Sequence, residues 1–261
     1  MISISTTVFG KEDIPGNKDL ISALDIIQKS GFEMIEISRH QKNILDRESQ
    51  IRASGLKVWS IHGLLGSHAA SDSPAERQAT LDQEFRRLDD TACFAPCPYV
   101  VHYTNRVNDP QAAKNYHNTI ERLYERSSQL GFNLAVETAP YKPQINERYP
   151  DSKEISDFVR SFGMKDLNMT IDINHSNIHE DIIDVCNNCN AIIANVHISD
   201  NHGEWEDHLP PGEGIIDFPA VNAALIKNGY TGPFNLEFHL ADAPSVDKLT
   251  EIRLRVEKML I

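Results

Sequence analysis

Short apolar runs rich in β-branched residues recur along the whole chain, and a stretch with helical spacing follows almost every one of them. Buried parallel strands read as continuous apolar runs, and a strict alternation of strand and helix implies a parallel sheet in an α/β protein. Eight such units can close into a single (β/α)8 TIM barrel, and an open doubly wound sheet is the alternative. The predicted strands lie at 2–9, 32–38, 57–62, 99–104, 134–138, 169–174, 194–199 and 234–239.

The segments between the runs carry signals for the start and the end of helices. Ser73 and Asp109 each stand before a proline, which is the usual pairing of an N-cap residue with the first helical position. The second and third strands are joined by the weakest helical pattern, at 41–54. The other predicted helices lie at 20–31, 73–95, 109–131, 152–163, around 181–188, 217–229 and 244–260.

Nothing in the sequence divides the chain into smaller units. No linker, charge block, low-complexity segment or internal repeat is present, so we predict one domain over residues 1–261. No Gly-x-Gly-x-x-Gly motif follows the first strand, which argues against a dinucleotide-binding form of the open sheet.

Composition narrows the classes of partner. The chain has 25 basic and 38 acidic residues, a net charge of −13, and so lacks the overall basic footprint of a nucleic-acid-binding protein. No apolar run approaches the ~18 residues of a membrane span. The first residues lack a basic region followed by a long apolar one, and we therefore expect a cytoplasmic protein.

The cysteines form two close pairs, Cys93 with Cys97 and Cys186 with Cys189. A structural zinc or a redox pair would be the functional interpretation. The pairs differ in spacing and lie far apart, so we predict reduced thiols that are mostly buried.

Ionisable side chains stand near the C-terminal ends of six consecutive predicted strands. In a barrel these ends surround one mouth, and a buried carboxylate or imidazole is costly unless it is paired or bound to a metal. Packing alone does not explain so regular a placement, and we predict a metal site. The residues are His62, His102, Glu137, Asp172 with His175 three positions on, His197 and Glu237.

Each of these side chains also has an ordinary structural interpretation. His62 or His102 alone would be a hydrogen-bonded core histidine, and Asp172 could cap the turn that leads to His175. Glu36, in the second strand, is expected to orient other groups. The mixed oxygen and nitrogen set suits Mn²⁺, Co²⁺, Zn²⁺ or Mg²⁺, and spacing alone does not choose among them.

The segment HISDNHGEWEDHLPPGEG, residues 197–214, concentrates polar side chains after the seventh strand. It holds three histidines, two aspartates and three glutamates, and it ends in a Pro-Pro-Gly-Glu-Gly turn that includes the last glutamate. His197 is the expected ligand and His202 an expected solvated loop residue.

Several motifs together resemble the xylose isomerase-like TIM barrel superfamily. They are E-T at strand 5, D-I-N-H at strand 6, H-I-S-D-N at strand 7, D-H-L-P-P-G-E-G-x-I-D-F after it, and L-E-F at strand 8. The superfamily includes the sugar (phosphate) isomerases and epimerases and the endonuclease IV group, AP endonuclease family 2. The resemblance covers nearly the whole chain and is most specific over 197–218.

The resemblance to the sugar epimerases implies one divalent metal. By position, its ligands fall on Glu137, Asp172, His197 and Glu237, and the two glutamates resemble the pair that removes and returns the proton. His175 falls on a position that contacts substrate. The same holds for His208, where epimerases often have arginine.

The resemblance to endonuclease IV implies a cluster of three zinc ions. That group adds histidines matched by His62 and His102, and an Asp-x-His motif that here reads Glu206-Asp207-His208. We therefore predict that His62, His102, His175, Glu206 and His208 bind substrate or a second metal.

Positive charge bears on the choice between these chemistries, because phosphate contacts dominate the affinity for DNA. No arginine occurs between Arg160 and Arg253, so the loops after strands 6, 7 and 8 offer none. The lysines in this part of the chain are predicted in or beside helices. Three basic residues after strands 4 and 5 remain candidate anion contacts, although solvated loop charges are the simpler interpretation. They are Arg106, Lys142 and Arg148.

These observations favour a divalent-metal-dependent sugar isomerase or epimerase that transfers a proton next to a carbonyl through an enediolate. The alternatives are an endonuclease IV-like zinc phosphodiesterase, another metal-dependent sugar enzyme such as a dehydratase or keto-sugar lyase, and a non-catalytic sugar-binding module. We expect a small sugar as the partner, neither nucleic acid nor a membrane, and leave a homo-oligomer open. Tyr103, Trp205 and Phe238 are candidates to wall the sugar, with ordinary packing as the competing interpretation.

Overall fold

Eight parallel strands close into a barrel in chain order, with β1 hydrogen-bonded to β8. The computed structural model describes residues 1–11, 14, 17–104, 109–139 and 150–260, with Ser67 described by its backbone alone. The predicted (β/α)8 barrel is thereby confirmed. The strands are β1 Ile2–Ser5, β2 Met34–Ile37, β3 Lys57–His62, β4 Pro98–His102, β5 Asn133–Glu137, β6 Leu167–Asp172, β7 Ile193–Ile198 and β8 Phe234–Leu236.

Helices follow the strands and pack around the barrel. Residues 41–54, the weakest helical pattern, form only a 3-10 turn, Leu45–Arg47, and the short helix α2. A short helix that the sequence did not predict, α6, follows β6 directly. The helices are α1 Leu20–Lys29, α2 Glu48–Ala53, α3 Pro74–Thr91, α4 Pro110–Gln129, α5 Ser152–Ser161, α6 Ile173–Asn177, α7 Ile182–Asn188, α8 Phe218–Lys227 and α9 Val246–Met259.

Side-chain caps fix where these helices begin. Asp109 accepts hydrogen bonds from the backbone N–H groups of Gln111 and Ala112, and Pro110 takes the first helical position, where no N–H is needed. Ser73 accepts from the backbone of Glu76 in the same way at the start of α3. Both predicted helix starts are therefore confirmed.

The first and last strands are shorter than the sequence predicts. β1 ends at Ser5, because the Ser5 hydroxyl accepts the Thr7 N–H and turns Thr6–Phe9 into a 3-10 helix. β8 ends at Leu236, and beyond it the N–H of His239 bonds to the carbonyl of His208 in the loop after β7. The predicted ranges 2–9 and 234–239 therefore include loop residues at the mouth.

The register of the sheet brings the predicted site residues to one level. His102 on β4 pairs with Glu137 on β5, and Asp172 on β6 pairs with His197 on β7. All of these residues lie at or near the C-terminal ends of their strands, so their side chains meet at one end of the barrel. The apolar residues of the strands and of the inner helix faces form the buried core around them.

Candidate metal centre

His197 lies at the middle of the predicted ligand set. Its Nδ1 atom is 2.9 Å from Oε1 of Glu137 and 2.8 Å from Oε2 of Glu237, and Asp172 Oδ2 lies 4.0 Å away. These atoms come from the ends of four consecutive strands, β5 to β8. One nitrogen and three carboxylate oxygens around a single point form a coordination-like group, here called the central group: Glu137, Asp172, His197 and Glu237.

A fifth side chain fixes the orientation of the His197 ring. Glu36 Oε2 lies 2.8 Å from His197 Nε2 and also accepts a hydrogen bond of 2.7 Å from the Ser60 hydroxyl. When Nε2–H donates to Glu36, the lone pair of Nδ1 points at the two other glutamates. A carboxylate that holds the far nitrogen of a metal-binding histidine is common in metalloproteins. The expectation that Glu36 orients other groups agrees with this contact.

One oxygen that faces the centre, Oδ2 of Asp172, is buried without a hydrogen-bond partner among the described residues. The second oxygen of Asp172 accepts the His175 N–H at 2.9 Å, so this aspartate caps α6 as well as facing the centre. A buried carboxylate oxygen without a partner is costly, and a cation would satisfy it. The donor set therefore fits a divalent metal ion.

The pKa shifts in the group follow from burial and from opposed charges. Burial lowers the pKa of His197, but the carboxylates of Glu36, Glu237 and Glu137 outweigh it and hold the pKa well above its usual value. Burial raises the pKa of Glu137, but His102 and His197 outweigh it and hold the pKa well below its usual value. For Asp172, burial prevails and raises the pKa. The carboxylates thus need positive charge beside them, from protonated imidazoles or from a metal.

A second group lies on the other side of Glu137. The Oε2 atom of this glutamate faces His102 Nε2 at 3.1 Å and His62 Nε2 at 3.4 Å. His62 Nδ1 lies 3.0 Å from the Gly63 carbonyl, which can accept a hydrogen bond from Nδ1–H. Nε2 then carries the lone pair that a metal ion would bind. We call His62, His102 and Glu137 the second group. Glu137 belongs to both groups, with one oxygen toward each.

The third group consists of His175, Glu206 and His208. Oε2 of Glu206 lies 3.4 Å from His175 Nε2 and 3.8 Å from His208 Nε2. The Nδ1 atoms of the two histidines lie beside the backbone carbonyls of Thr138 and Glu237, at 3.0 and 3.2 Å. Both rings therefore turn Nε2 inward, as metal-binding histidines do. Glu206 and His208, whose environment the sequence left open, share this group with His175.

The third group depends on the loop after β7. Asp200, fully buried, accepts hydrogen bonds from the backbone of Asn201, Gly212 and Ile216. Its own backbone pairs with that of Leu209 in an antiparallel bridge. These bonds fold the Pro-Pro-Gly-Glu-Gly segment back and hold residues 206–208 over the mouth. His208 itself has a left-handed backbone, with φ of 48°.

The aromatic candidates divide according to their burial. Phe238 is completely buried in the apolar core, which agrees with ordinary packing. Tyr103 packs against the rings of Tyr116 and Phe158 at 5.2 Å, which agrees with ordinary packing. Trp205, at 50% exposure, is the remaining candidate.

Other predicted details can be compared with the structure in the same way. His202 is exposed, as expected of a solvated loop residue. The cysteines are free thiols, and three of the four are buried, which agrees with their prediction. Arg106, Lys142 and Arg148 lie outside the described residues.

Two residues that shape the site were not singled out from the sequence. Asp200 was hidden within a polar run, and only its complete burial and its three backbone bonds reveal its role. The other is Arg39, which follows β2 and lines a cavity near the mouth. Its position directly after a predicted strand was the available signal.

A comparison with a family model tests the resemblance that the sequence motifs suggested. The model of the xylose isomerase-like TIM barrel matches residues 24–254. The chain belongs to this family.

Two curated relatives of this member of the xylose isomerase-like family are uncharacterized proteins of Methanocaldococcus jannaschii. MJ1311 is 29% identical over 126 residues, which cover 47% of this chain and 42% of that protein. MJ1614 is 30% identical over 131 residues, which cover 50% of this chain and 47% of that protein. The chain thus spans less than half the length of either relative.

Solved structures share the fold over almost the whole chain. A D-tagatose 3-epimerase-like protein has a TM-score of 0.80 at 20% identity, covering 99% of this chain and 97% of its own. L-ribulose 3-epimerase has a TM-score of 0.81 at 17% identity, covering 99% and 94%. The 3-keto-D-glucoside 4-epimerase YcjR from E. coli has 0.78 at 18%, covering 98% of both chains. Identities this low show the fold alone.

No helix in the described part of the chain combines the length and the apolar character that crossing a membrane requires.

Proposed function

We propose that the protein is a divalent-metal-dependent sugar isomerase or epimerase. The observation that carries the proposal is the approach of two glutamates, one from β5 and one from the end of β8, to one nitrogen of His197. Glu137 Oε1 and Glu237 Oε2 lie 2.9 and 2.8 Å from His197 Nδ1. These side chains come from strands that are not neighbours in the barrel, and we assign one carboxylate to each face of a sugar bound at the metal.

The chemistry is proton transfer at a carbon next to a carbonyl. A divalent ion, bound by the central group, would polarise the substrate oxygens and stabilise the negative charge of the enediolate. Glu137 and Glu237 are assigned the roles of proton acceptor and donor, one on each face. His175 and His208 are assigned to the substrate hydroxyls, since both turn Nε2 inward. The similar solved structures named as epimerases support this choice of reaction.

A carboxylate must be positioned as well as basic to take this proton. Glu237 is partly open to the mouth, with 14% of its side chain exposed, whereas Glu137 is fully buried. Glu237 therefore meets the substrate first, and Glu137 is held between His197 and His102. An epimerase needs both groups, because the proton leaves one face of the carbon and returns to the other.

The test is the exchange of the substrate's carbon-bound proton with solvent. Glu137→Gln and Glu237→Gln keep the size of the side chain and remove its basicity. Each variant is expected to abolish deuterium uptake by a ketose in D₂O, followed by NMR, while the fold survives. Glu213→Gln is the control, since Glu213 is exposed and pairs with Arg255. Full exchange in either site variant would refute the mechanism with two glutamates.

A second candidate is an endonuclease IV-like phosphodiesterase. The observation that favours it is the presence of the second and third groups beside the central one, since clustered metal ions can clamp a phosphate and activate water. Sharing Glu137 between two groups would suit such a cluster.

The number of bound ions separates the two candidates. Elemental analysis of the purified protein is expected to find about one Mn, Co or Mg per chain for the isomerase, with four ligands from the central group. Two or three zinc ions per chain, together with cleavage of an abasic-site duplex, would instead support the phosphodiesterase.

A further inference from the structure

A buried polar bridge joins α6 to the loop after β7. Asn174, the second residue of α6, lies in the chain between two site residues, Asp172 and His175. Its side-chain nitrogen donates to Ser199 Oγ at 3.1 Å and to the Asp200 carbonyl at 3.0 Å. The side chains of Asn174 and Ser199 are both buried. They belong to the motifs D-I-N-H and H-I-S-D-N, and neither has a part in the proposed proton transfer.

The orientation of the Asn174 amide is fixed by its partners. The Asp200 carbonyl can only accept a hydrogen bond, so the atom that faces it must be the amide nitrogen. The side-chain nitrogen of Asn201 donates to the Asn174 backbone carbonyl at 2.8 Å and to the Asn174 amide oxygen at 3.3 Å. Ser199 Oγ therefore receives an N–H from Asn174.

The other end of the bridge is His208. Its Nδ1 atom lies 3.2 Å from Ser199 Oγ and 3.2 Å from the backbone carbonyl of Glu237. Because the carbonyl can only accept, both contacts are satisfied when Nδ1 carries a hydrogen and shares it between the two oxygens. Nε2, which lies 3.8 Å from Oε2 of Glu206, is then the ring nitrogen that can meet a ligand.

The backbone of His208 is held in a conformation that few residues other than glycine adopt. Its φ of 48° lies in the left-handed region, which costs free energy in a residue with a Cβ atom. The His239 N–H donates to the His208 carbonyl at 2.8 Å, and the next residue, Leu209, pairs with Asp200. Strained backbone that the surroundings enforce is concentrated at functional sites. The fold thus constrains both the backbone and the ring of His208.

The bridge also sets His208 against His175. The centres of the two rings lie 5.6 Å apart, with their planes at 90°. Asn174 directly precedes His175 in α6, and Ser199 contacts His208, so the bridge connects the two elements that carry the rings. The spacing of the two inward-facing Nε2 atoms therefore depends on it.

We propose that Ser199, oriented by Asn174, is a positioning residue for His208: its oxygen keeps a hydrogen on Nδ1 and directs Nε2 toward the hydroxyls of a bound sugar. The inference rests on the proposed function for the sugar and on the bridge alone for the orientation of the ring. A purely structural Ser199 would stabilise the loop after β7 and leave the ring as it is. The two roles differ in whether the effect of Ser199 requires the His208 side chain.

The exchange of the His208 Nδ1–H proton with solvent reports the contact directly. Proton–nitrogen NMR of the protein loaded with Mg²⁺ identifies this proton as the ring signal that disappears in His208→Asn, a variant that tolerates a left-handed backbone. Ser199→Ala should accelerate the exchange about two- to tenfold, the factor that one hydrogen bond is worth. Asn174→Ala should act in the same direction, because it removes the donor that orients Ser199.

Binding of D-fructose, measured by calorimetry, separates positioning from loop stability. Ser199→Ala should weaken binding about two- to tenfold when His208 is present. It should have no further effect in the His208→Asn background, because a residue that acts through another has no effect once that residue is gone. Ser199→Thr keeps the hydroxyl and should restore both the binding and the slow exchange.

Ser127→Ala is the matched control. Ser127 is a buried serine near the C-terminal end of α4, where the chain turns back toward the start of β5, and its hydroxyl donates to the Tyr124 carbonyl. The variant should leave the His208 signal and the D-fructose affinity unchanged. Equal melting temperatures of the two alanine variants exclude loss of stability as the cause of any difference between them.

Two results would overturn the proposal: exchange of the His208 proton that does not change in Ser199→Ala, or a loss of D-fructose affinity of the same size with and without the His208 side chain. A His208 signal that depends on Ser199, in a protein that exchanges no sugar proton, would support the positioning role and refute the isomerase. Proton exchange on D-fructose, with a His208 signal independent of Ser199, would do the reverse.

Discussion

The tautomer of His197 illustrates how one residue controls another at this site. Glu36 and the Ser60 hydroxyl take up the far side of the ring, so the near nitrogen is presented to the centre. The alignment of Glu36 with Ser60 depends on an irregularity in the pairing of β2 with β3, where the register shifts between Ile35 and Glu36. A shift of this kind changes which side chains face the barrel interior.

Weakening this contact should weaken metal binding. Glu36→Gln keeps the shape of the side chain but removes its charge, and we expect affinity for the metal to fall about 10- to 100-fold, as for other residues that orient a metal-binding histidine. Competition with a chromophoric chelator measures the affinity. Glu33→Gln, on the exposed residue just before β2, is the control. Equal affinities in the wild type and the Glu36 variant would show that Glu36 has a packing role only.

Among single residues, the sequence predicted those at strand ends and missed those whose importance depends on three-dimensional register. The residues of the central group stand at the ends of β5 to β8, where a barrel gathers its functional groups. Glu36 was expected to orient other groups, but its partner His197 lies 161 positions away and only the closed barrel brings them together. Phe238, just after β8, is completely buried, and the sequence alone left open whether it packs in the core or lines the mouth.

Among the elements, the loop after β7 depends most on backbone geometry. A Cβ atom on Gly214 would overlap the Asn201 carbonyl and the Asp200 carboxylate, and Gly212 has φ of 88°. The two glycines of the Gly-Glu-Gly motif thus serve different needs, close approach and left-handed backbone. The motif was visible in the sequence, but its contact with Asp200 was not.

A side chain at Gly214, where the backbone approaches Asn201 and Asp200 closely, should loosen the loop. Gly214→Ala is expected to destabilise the protein by about 1–3 kcal/mol, the usual cost of overpacking, because the neighbouring backbone and Asp200 are both held in place. Thermal unfolding measures the cost, and hydrogen exchange over 200–216 should show the loss of the Asp200 bonds. Gly66→Ala is the control, since a Cβ atom there meets only the Leu64 carbonyl, at 3.9 Å. Equal stability of both variants would mean that the loop adjusts freely.

For the whole molecule, the alternation of strands and helices was enough to predict the closed barrel. The topology depends on the number and order of the strands and not on their exact bounds. The short β1 and β8 and the unexpected α6 therefore did not alter it. The cavity lined by Lys11 and Arg39 was not predicted, because these residues follow β1 and β2, which are separated in sequence and pair only in the folded barrel. The extent of the domain, 1–261, stays a prediction.

Metal removal should destabilise the whole barrel, because the central group draws on strand ends around the mouth. A ligand at 100 times its dissociation constant stabilises the folded state by about 2.7 kcal/mol, which for a chain of this size corresponds to a melting temperature about 5–10 °C higher. We expect EDTA to lower the melting temperature by this amount and added metal to restore it. Identical melting curves with and without EDTA would mean that no bound metal stabilises the folded protein.

The two oxygens of Glu137 belong to different groups, one facing His197 and the other facing His62 and His102. An ion at either position would withdraw electron density from the same carboxylate and fix the same rotamer. Occupancy at the two positions is therefore linked thermodynamically, and each ion changes the affinity for the other by the same factor. In a protein that takes up ions at both positions, as the phosphodiesterase candidate requires, a titration with metal would depart from independent binding and Glu137→Gln would remove the coupling.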